Sequence, residues 1–178
     1  VDVWTLETQY GMELNGDGQL GAPVTVAENN GNVVLMHVGN NYGLYGKDGS
    51  GNPTSGPLLK FNGQAVTTGQ FGNWTPYAVE AYGSGYQVLL KNAIENKYLS
   101  WRVDSAGNYQ SGDPLGVVSA NSVDVWTLET QYGMELNGDG RLGAPPAVSM
   151  ETSGAVALVQ VGNNYGLYGK DGSGNPTS

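Results

Sequence analysis

The chain of 178 residues contains no cysteine, which excludes disulfide bonds and thiolate metal sites together. Basic residues are scarce: seven lysines and arginines face 16 aspartates and glutamates, and the formal net charge is -9. So few cations cannot neutralise a run of phosphates, and an acidic surface is repelled by anionic lipid head groups. The composition therefore argues against nucleic acid and membrane-surface partners and favours divalent cations.

Long hydrophobic runs are also missing, since no apolar segment of the sequence approaches the ~18 residues that span a bilayer. We therefore expect no membrane insertion. Glycine is abundant: its 29 residues are more than double the average share of about 7%. Together with the frequent Asn-Gly and Asp-Gly pairs, this predicts tight turns between short strands. The sequence indicates a mainly β protein that lacks a covalent staple, for which a bound metal ion is a plausible substitute.

An internal repeat governs the organisation of the chain. Residues 1–23 recur as residues 123–145 with a single change, in which Gln19 becomes Arg141. Residues 38–55 recur unchanged as residues 161–178. The offset between these two blocks is one residue larger than that between the first two, because one residue is inserted around Pro145-Pro146. We expect three segments: a helix and calcium loop that end a preceding copy (1–23), one complete module (24–145), and the start of the next copy (146–178). Such an excerpt is expected from a longer array of units.

Alternation of apolar residues predicts the strands of one module. Residues 24–38 and 42–45 have strand patterns separated by a glycine-asparagine turn, and Asn62-Gly63 predicts a tight hairpin. Residues 86–91 and 98–103 alternate as half-buried strands should. We predict an antiparallel β sandwich or prism-like module, with one short helix leading into an EF-like calcium loop at each repeat boundary.

The one predicted helix follows Ser122, which is a suitable N-cap. Its apolar stripe is formed by Val125, Leu128 and Tyr132 at helical spacing. The same helix should begin the chain. Glycine and proline soon after the following loop exclude a second helix, so a paired EF-hand is not expected.

The loop after each helix has the spacing of an EF-type calcium loop. Oxygen-bearing side chains stand at positions 1, 3 and 5, glycine at 6, a carbonyl ligand at 7 and an aliphatic anchor at 8. Calcium prefers six to eight hard oxygens, and alternate residues of a curled loop can point at one centre. The predicted ligands of the two loops are Glu13, Asn15, Asp17 and Gln19, and Glu135, Asn137, Asp139 and Arg141, with Leu20 and Leu142 as the anchors.

Two departures from the pattern leave the shell incomplete. Position 1 is glutamate, and position 12 is Val24, where a bidentate glutamate normally completes the site. Glu7 on the first helix, Glu129 on the second, Glu28 in the following strand, or water could supply the missing ligand. The alternative is an ion-free Asn-Gly-Asp-Gly turn, which such residues form readily.

Several stretches of the sequence resemble a known protein family. The stretch FNGQAVTTGQFGNWTPYAVEAYGSGYQVLLKN, then WRVDSAGNYQS, GVVS and LETQYGMELNGDGQLG, resembles the tryptophan-rich Synechocystis-type C-terminal domain. The resemblance covers a whole copy, about residues 24–145. It implies an extracellular location, tandem copies in secreted RTX-like surface proteins, and a metal loop on the residues named above. Members of the family usually carry aspartate where Glu13 and Glu135 stand. No catalytic activity is implied.

The remaining candidates favour structural roles. His37 is the only histidine and has no nearby nucleophile pattern, so we expect no enzyme activity. Two aspartate loops, residues 48–52 and 104–108, could bind ions but are better hairpin turns. Trp101 and Trp126 lie on apolar alternations and are expected in the core. Trp74 is left open as a ligand-binding residue.

Two functions are consistent with these patterns. The first is a structural repeat of an extracellular surface fibre or adhesin, stabilised by calcium where successive copies join, with neighbouring copies of the repeat as its partners. The second is a polysaccharide-binding module, repeated for avidity, in which Trp74 stacks on sugar.

Overall fold

The computed structural model describes residues 3–151 and 153–177. Residues 1, 2, 152 and 178, which fall within the predicted first and third segments, lie outside the described residues. Strands make up 47% of the chain and form four antiparallel sheets, which confirms the prediction of a mainly β protein. Neither helix of the described part of the chain is long and apolar enough to cross a membrane.

The helices and strands follow the repeat. The helices are α1 (Val3–Tyr10) and α2 (Val125–Tyr132). The strands of the first copy are β1 (Val24–Glu28), β2 (Val33–Val38), β3 (Asn41–Gly46), β4 (Lys60–Phe61), β5 (Gln64–Ala65), β6 (Trp74–Tyr82), β7 (Gly85–Asn92), β8 (Lys97–Val103) and β9 (Tyr109–Ser119). Those of the second copy are β10 (Ala147–Glu151), β11 (Val156–Val161) and β12 (Asn164–Gly169).

Each sheet is an antiparallel meander in chain order. The first copy contains the three-stranded sheet β1-β2-β3, the hairpin β4-β5 and the four-stranded sheet β6-β7-β8-β9. Sheet β10-β11-β12 repeats the first sheet with the same register, including the irregularity near the end of its first strand. The β4-β5 turn has positive φ at both Asn62 (51°) and Gly63 (76°), so the predicted Asn-Gly hairpin is confirmed as a type I′ turn.

Two sheets of the first copy pack face to face around one core. Its aliphatic side chains come from both sheets and from the segments around β4 and β5, and Trp101 closes it, 6% exposed. Phe61, Phe71 and Tyr109 surround the Trp101 ring, with centroids 5.0 to 5.4 Å away. Trp101 is therefore a core residue, as predicted.

The opposite face of the four-stranded sheet carries a second core. There Leu89 and Tyr98 of the sheet contact Val125, Leu128 and Tyr132 of α2, all five of which are at most 1% exposed. The apolar stripe predicted for the helix is thus confirmed. The expectation that β7 and β8 are half-buried is wrong, because helix α2 covers the face that Leu89 was expected to leave open.

The start of α2 also differs from the prediction. Asp124 occupies the N-cap position and makes no side-chain capping hydrogen bond. The Ser122 hydroxyl instead donates to the Ser119 carbonyl at 2.9 Å, which closes the turn that follows β9. Packing against the sheet, rather than a side-chain cap, therefore holds this end of the helix in place.

Candidate metal loops and the junction between copies

The first loop is curled by its own side chains. Asn15 Oδ1 accepts a hydrogen bond from the Asp17 amide, and Asp17 Oδ1 accepts one from the Gln19 amide, each at 2.8 Å. Glu13 Oε1 accepts in the same way from the Asn15 amide at 2.8 Å. Each predicted side-chain ligand thus bonds the amide two residues onward, a local pattern of nested Asx-type turns.

The second loop repeats this pattern bond for bond. Glu135 Oε1 accepts from the Asn137 amide, Asn137 Oδ1 from the Asp139 amide and Asp139 Oδ1 from the Arg141 amide, each at 2.8 Å. The glycines between these residues, Gly138 and its partner Gly140, have φ of 88° and 76°, which other residues adopt only at a cost. The change of Gln19 to Arg141 therefore leaves the loop backbone unaltered.

A buried glutamate on each helix accepts hydrogen bonds from the loop that follows the helix. Glu7 is fully buried, and its Oε1 accepts from the amides of Leu14 and Asn15 at 3.0 and 3.1 Å. Its Oε2 accepts from the Gly21 amide at 3.1 Å. One carboxylate therefore binds both ends of the loop, and these hydrogen bonds compensate the cost of burying its charge.

Glu129 has the same role in the second copy. It is also fully buried, and it accepts from the amides of Leu136, Asn137 and Gly143 at 3.0, 3.2 and 3.0 Å. Sequence reasoning named Glu7 and Glu129 only as candidate metal ligands and missed this role. The available signal was position: Glu129 adjoins Leu128 on the buried stripe, where a carboxylate needs hydrogen-bond donors.

The predicted aliphatic anchors are wrong. Leu20 and Leu142 are 61% and 60% exposed, so neither attaches its loop to a core. In the second loop the anchor is Leu136, which is 6% exposed within the second core. The Tyr98 hydroxyl also donates to the Leu136 carbonyl at 2.8 Å. The loop is therefore attached to its module through the residue after Glu135, six positions before the predicted anchor.

The donor set of each loop fits a hard cation only in part. Within residues 3–151 and 153–177, no cluster of three or more His, Cys, Asp or Glu side chains could hold a metal. Each loop offers two carboxylates, such as Glu13 and Asp17, together with the Asn15 amide and the predicted carbonyl ligand. All are hard oxygens of the type that calcium uses, and water would have to complete the shell.

The other candidate ligand, Glu28, has partners of its own. Glu28 Oε2 accepts from the Val79 amide at 3.3 Å, and Oε1 accepts from the Asn30 amide, so this carboxylate joins β1 to β6. Burial, and secondarily the negative charge of Glu28, raises the pKa of the nearby Glu80. These two glutamates thus belong to the contact between the two sheets.

The aspartate loops are hairpin turns, as predicted. Asp48 Oδ1 accepts from the amides of Ser50 and Asn52 at 2.8 and 2.9 Å, and Asn52 first, then Ser50, lowers the pKa of Asp48. Asp104 is bonded to Asn108 in the same manner. Both carboxylates are thus engaged in closing their own turns.

The aromatic and histidine candidates have contrasting surroundings. Trp74 is half-buried and packs against the first core. His37 lies beside the Tyr42 ring, with centroids 4.9 Å apart. Trp126 was expected in the core but is only partly buried at its edge. The absence of catalysis and the role of Trp74 both stay predictions.

A cavity of about 470 Å³ lies where the second loop meets the next copy. One wall comes from the turn before α2 and from the loop, including Asn121 and Asp139. The other comes from the β11-β12 turn, including Asn163. Trp126 lines the same cavity, next to Gly162 of that turn. The predicted loop therefore lies at a contact between successive copies.

The fold and its loops define a class: an antiparallel β module with a helix and a curled loop packed on one sheet. The family described as the tryptophan-rich Synechocystis species C-terminal domain matches residues 35–143. This chain belongs to that family, which confirms the resemblance. The matched region ends at Gly143, and so it includes α2 and the second loop. No curated protein and no solved structure matches the chain.

Proposed function

We propose that this chain is a structural repeat of an extracellular surface fibre or adhesin, in which calcium stabilises the joint between successive copies. The observation that carries the proposal is the loop that follows each helix. Both loops have the same nested hydrogen bonds, and in each a buried glutamate accepts hydrogen bonds from both ends of the loop. The same loop shape recurs with the repeat, and it keeps two carboxylates, an amide and a carbonyl at the spacing of a calcium loop, which supports the proposal.

The position of the second loop supports the placement of calcium at the joint. Asn137 and Asp139 of the loop line the same cavity as Asn163 and Asn164 of the following copy. An ion held by the loop would stiffen the segment between Asp139 and β10. Neighbouring copies are then the natural partners of each unit, and the chain needs no catalytic group for this role.

The donor set agrees with an extracellular location. Two carboxylates per loop give modest affinity, in the range of ~10⁻⁴–10⁻³ M that calcium-binding extracellular modules show. Such a site fills only where calcium is abundant, as it is outside cells. The buried glutamates, Glu7 and Glu129, are fully engaged with loop amides, so we assign them to loop positioning and expect water to complete the shell.

Thermal unfolding with and without calcium tests the proposal. Ligand that binds only the folded state stabilises it by RT ln(1 + [L]/Kd), about 1.4 to 2.7 kcal/mol when calcium exceeds Kd by 10- to 100-fold. For a domain of this size we expect Tm to rise by roughly 3–10 °C. The measurement is calorimetry of the full chain in calcium and in chelator.

Variants locate the effect. The pair Asp17→Asn and Asp139→Asn removes one carboxylate from each loop and should abolish most of the calcium-dependent rise in Tm. The control pair, Glu95→Gln and Asp124→Asn, removes the same charge at exposed positions outside the loops and should retain it. Equal Tm in calcium and chelator, or an equal loss in both pairs, would contradict the proposal.

A polysaccharide-binding function is the second candidate. Trp74 supports it weakly, because part of its ring is already covered by the first core. Trp126 supports it better, since it lines an open cavity with polar side chains around it. Within this second proposal, Trp126 is therefore a better candidate than Trp74 to stack on sugar.

A further inference from the structure

The cavity at the joint contains polar groups that have no partner. Among the described residues, the side-chain amides of Asn121 and Asn163 make no hydrogen bond, and neither does the Asn137 Nδ2 group. The indole N–H of Trp126 also donates to no acceptor within the part of the chain that the structure describes. A cavity of about 470 Å³ lies within the ~300–1,000 Å³ of sites that hold small ligands. Its donors are therefore available to a polar ligand of that size.

Arg141 gives the cavity its chemical character. It occupies the single position at which residues 123–145 differ from residues 1–23, where Gln19 stands. Its guanidinium has no ion pair or hydrogen bond to any residue that the structure describes, because only its backbone amide is engaged. A guanidinium binds a carboxylate through two parallel hydrogen bonds. The guanidinium of Arg141 is thus available to bind a carboxylate in this cavity.

Trp126 supplies the apolar part of the site. It is only half-buried, and its ring edge lies against Gly162, where a Cβ would come within 3.3 Å of Cζ2. The equivalent contact in the first copy is tighter: a Cβ on Gly39 would come within 2.5 Å of Trp4 Cζ3. The one-residue insertion at Pro145-Pro146 coincides with this looser contact, and Trp126 lines the cavity.

We propose that this cavity binds one carboxylated pyranose residue, a uronic acid within an acidic polysaccharide. The sugar carboxylate pairs with Arg141, the hydroxyl groups bond to Asp139 and the asparagine amides, and the C–H face of the ring covers Trp126. The ligand contacts two copies at once, and it therefore holds the joint in one geometry.

The lining disfavours the other ligands of this size. A phosphate-rich polymer needs several cations to neutralise its charges, and Arg141 is the single cationic residue in the wall of this cavity. A uronic acid needs one cation, several amides and one aromatic surface, and all of these are present.

Isothermal titration of the full chain in calcium-containing buffer tests the site, with tetragalacturonate as the acidic probe and galactotetraose as the neutral one. We expect tetragalacturonate to bind at one site per chain and galactotetraose to bind at least about tenfold more weakly, a difference of about 1.4 kcal/mol. Arg141→Gln should weaken tetragalacturonate binding by a similar factor. This variant keeps its fold, because Gln19 stands at the same position of an otherwise identical loop.

Two tryptophan variants supply the matched control. Trp126→Ala should remove binding, whereas Trp4→Ala, the same change in α1, should leave it unaltered. Failure of tetragalacturonate to bind, or equal binding of both sugars, would overturn the assignment. Binding that survives Arg141→Gln would indicate uronate bridged by calcium elsewhere on the acidic surface, and it would overturn the site as well.

The sugar site shares Asp139 with the proposed calcium site, but the Arg141 and Trp126 variants test it separately from calcium binding. Loss of the calcium-dependent rise in Tm, with sugar binding and its Arg141 dependence intact, would refute only the calcium proposal. The reverse result would refute only the sugar site.

Discussion

Helices α1 and α2 have the same sequence and opposite surroundings. In α2, Leu128 and Tyr132 are each 1% exposed against the four-stranded sheet. In α1, the equivalent Leu6 is only half-buried and Tyr10 is 63% exposed. The same eight residues are thus helical in both places, and among the described residues a four-stranded sheet covers the helix only in α2.

The features that are the same in both copies are the loop and the buried glutamate that binds it. Glu7 and Glu129 bind equivalent amides at nearly equal distances, although only the second loop is joined to a core. The feature that differs is the burial of the apolar stripe, which stabilises the protein where a sheet covers it. Helix α2 and the second loop pack on the sheet β6-β9 through Leu128, Tyr132 and Leu136.

The largest expected effect is on the docked stripe. Leu128→Ala should cost about 2–5 kcal/mol, because it leaves a cavity in the second core. Leu6→Ala should cost less than about 1 kcal/mol, since less surface is covered there. Both changes have the same effect on helix propensity, so each is the control of the other. Chemical denaturation measures the difference, and equal losses would refute the contrast between the two helices.

A smaller effect is expected at the glutamate under each loop. Glu129→Gln replaces an acceptor oxygen by an N–H₂ group and leaves at least one buried amide without a partner, at a cost of about 1–3 kcal/mol. Hydrogen exchange should show loss of protection at Leu136, Asn137 and Gly143.

Glu7→Gln should produce the same local loss of protection in the first loop with little change in the global unfolding free energy. The reason is that, within residues 3–151 and 153–177, α1 does not pack against the four-stranded sheet. If Glu7→Gln lowered global stability as much as Glu129→Gln, the first helix and loop would be part of the cooperative core, contrary to this account.

Most of the fold was predictable from short-range patterns. Turn residues and alternation located β1, β2, β3, β7 and β8, and Asn62-Gly63 specified its hairpin, whereas β6 was not predicted. What failed was the number of layers: Leu89 alternates as a half-buried strand residue would, yet α2 covers it. A strand pattern reports that one face is apolar, but the helix that covers the other face comes from a segment distant in sequence.

The site was predictable in its spacing and less so in its attachment. The nested turns follow directly from alternating Glu, Asn and Asp side chains, which bond amides two residues away. The anchor was misplaced because the analogy with an EF-type loop puts the core-facing aliphatic residue at position 8, which is Leu142 here. Here the loop packs on a sheet through Leu136, and Leu142 stays exposed.

The account depends most directly on whether each loop holds an ion. Equilibrium dialysis of the full chain against labelled calcium counts bound ions without reference to stability. We predict one ion per loop, with the count falling by one in Asp139→Asn and by both in the variant that also carries Asp17→Asn. No bound calcium at millimolar concentration, or an unchanged count in the double variant, would contradict the account.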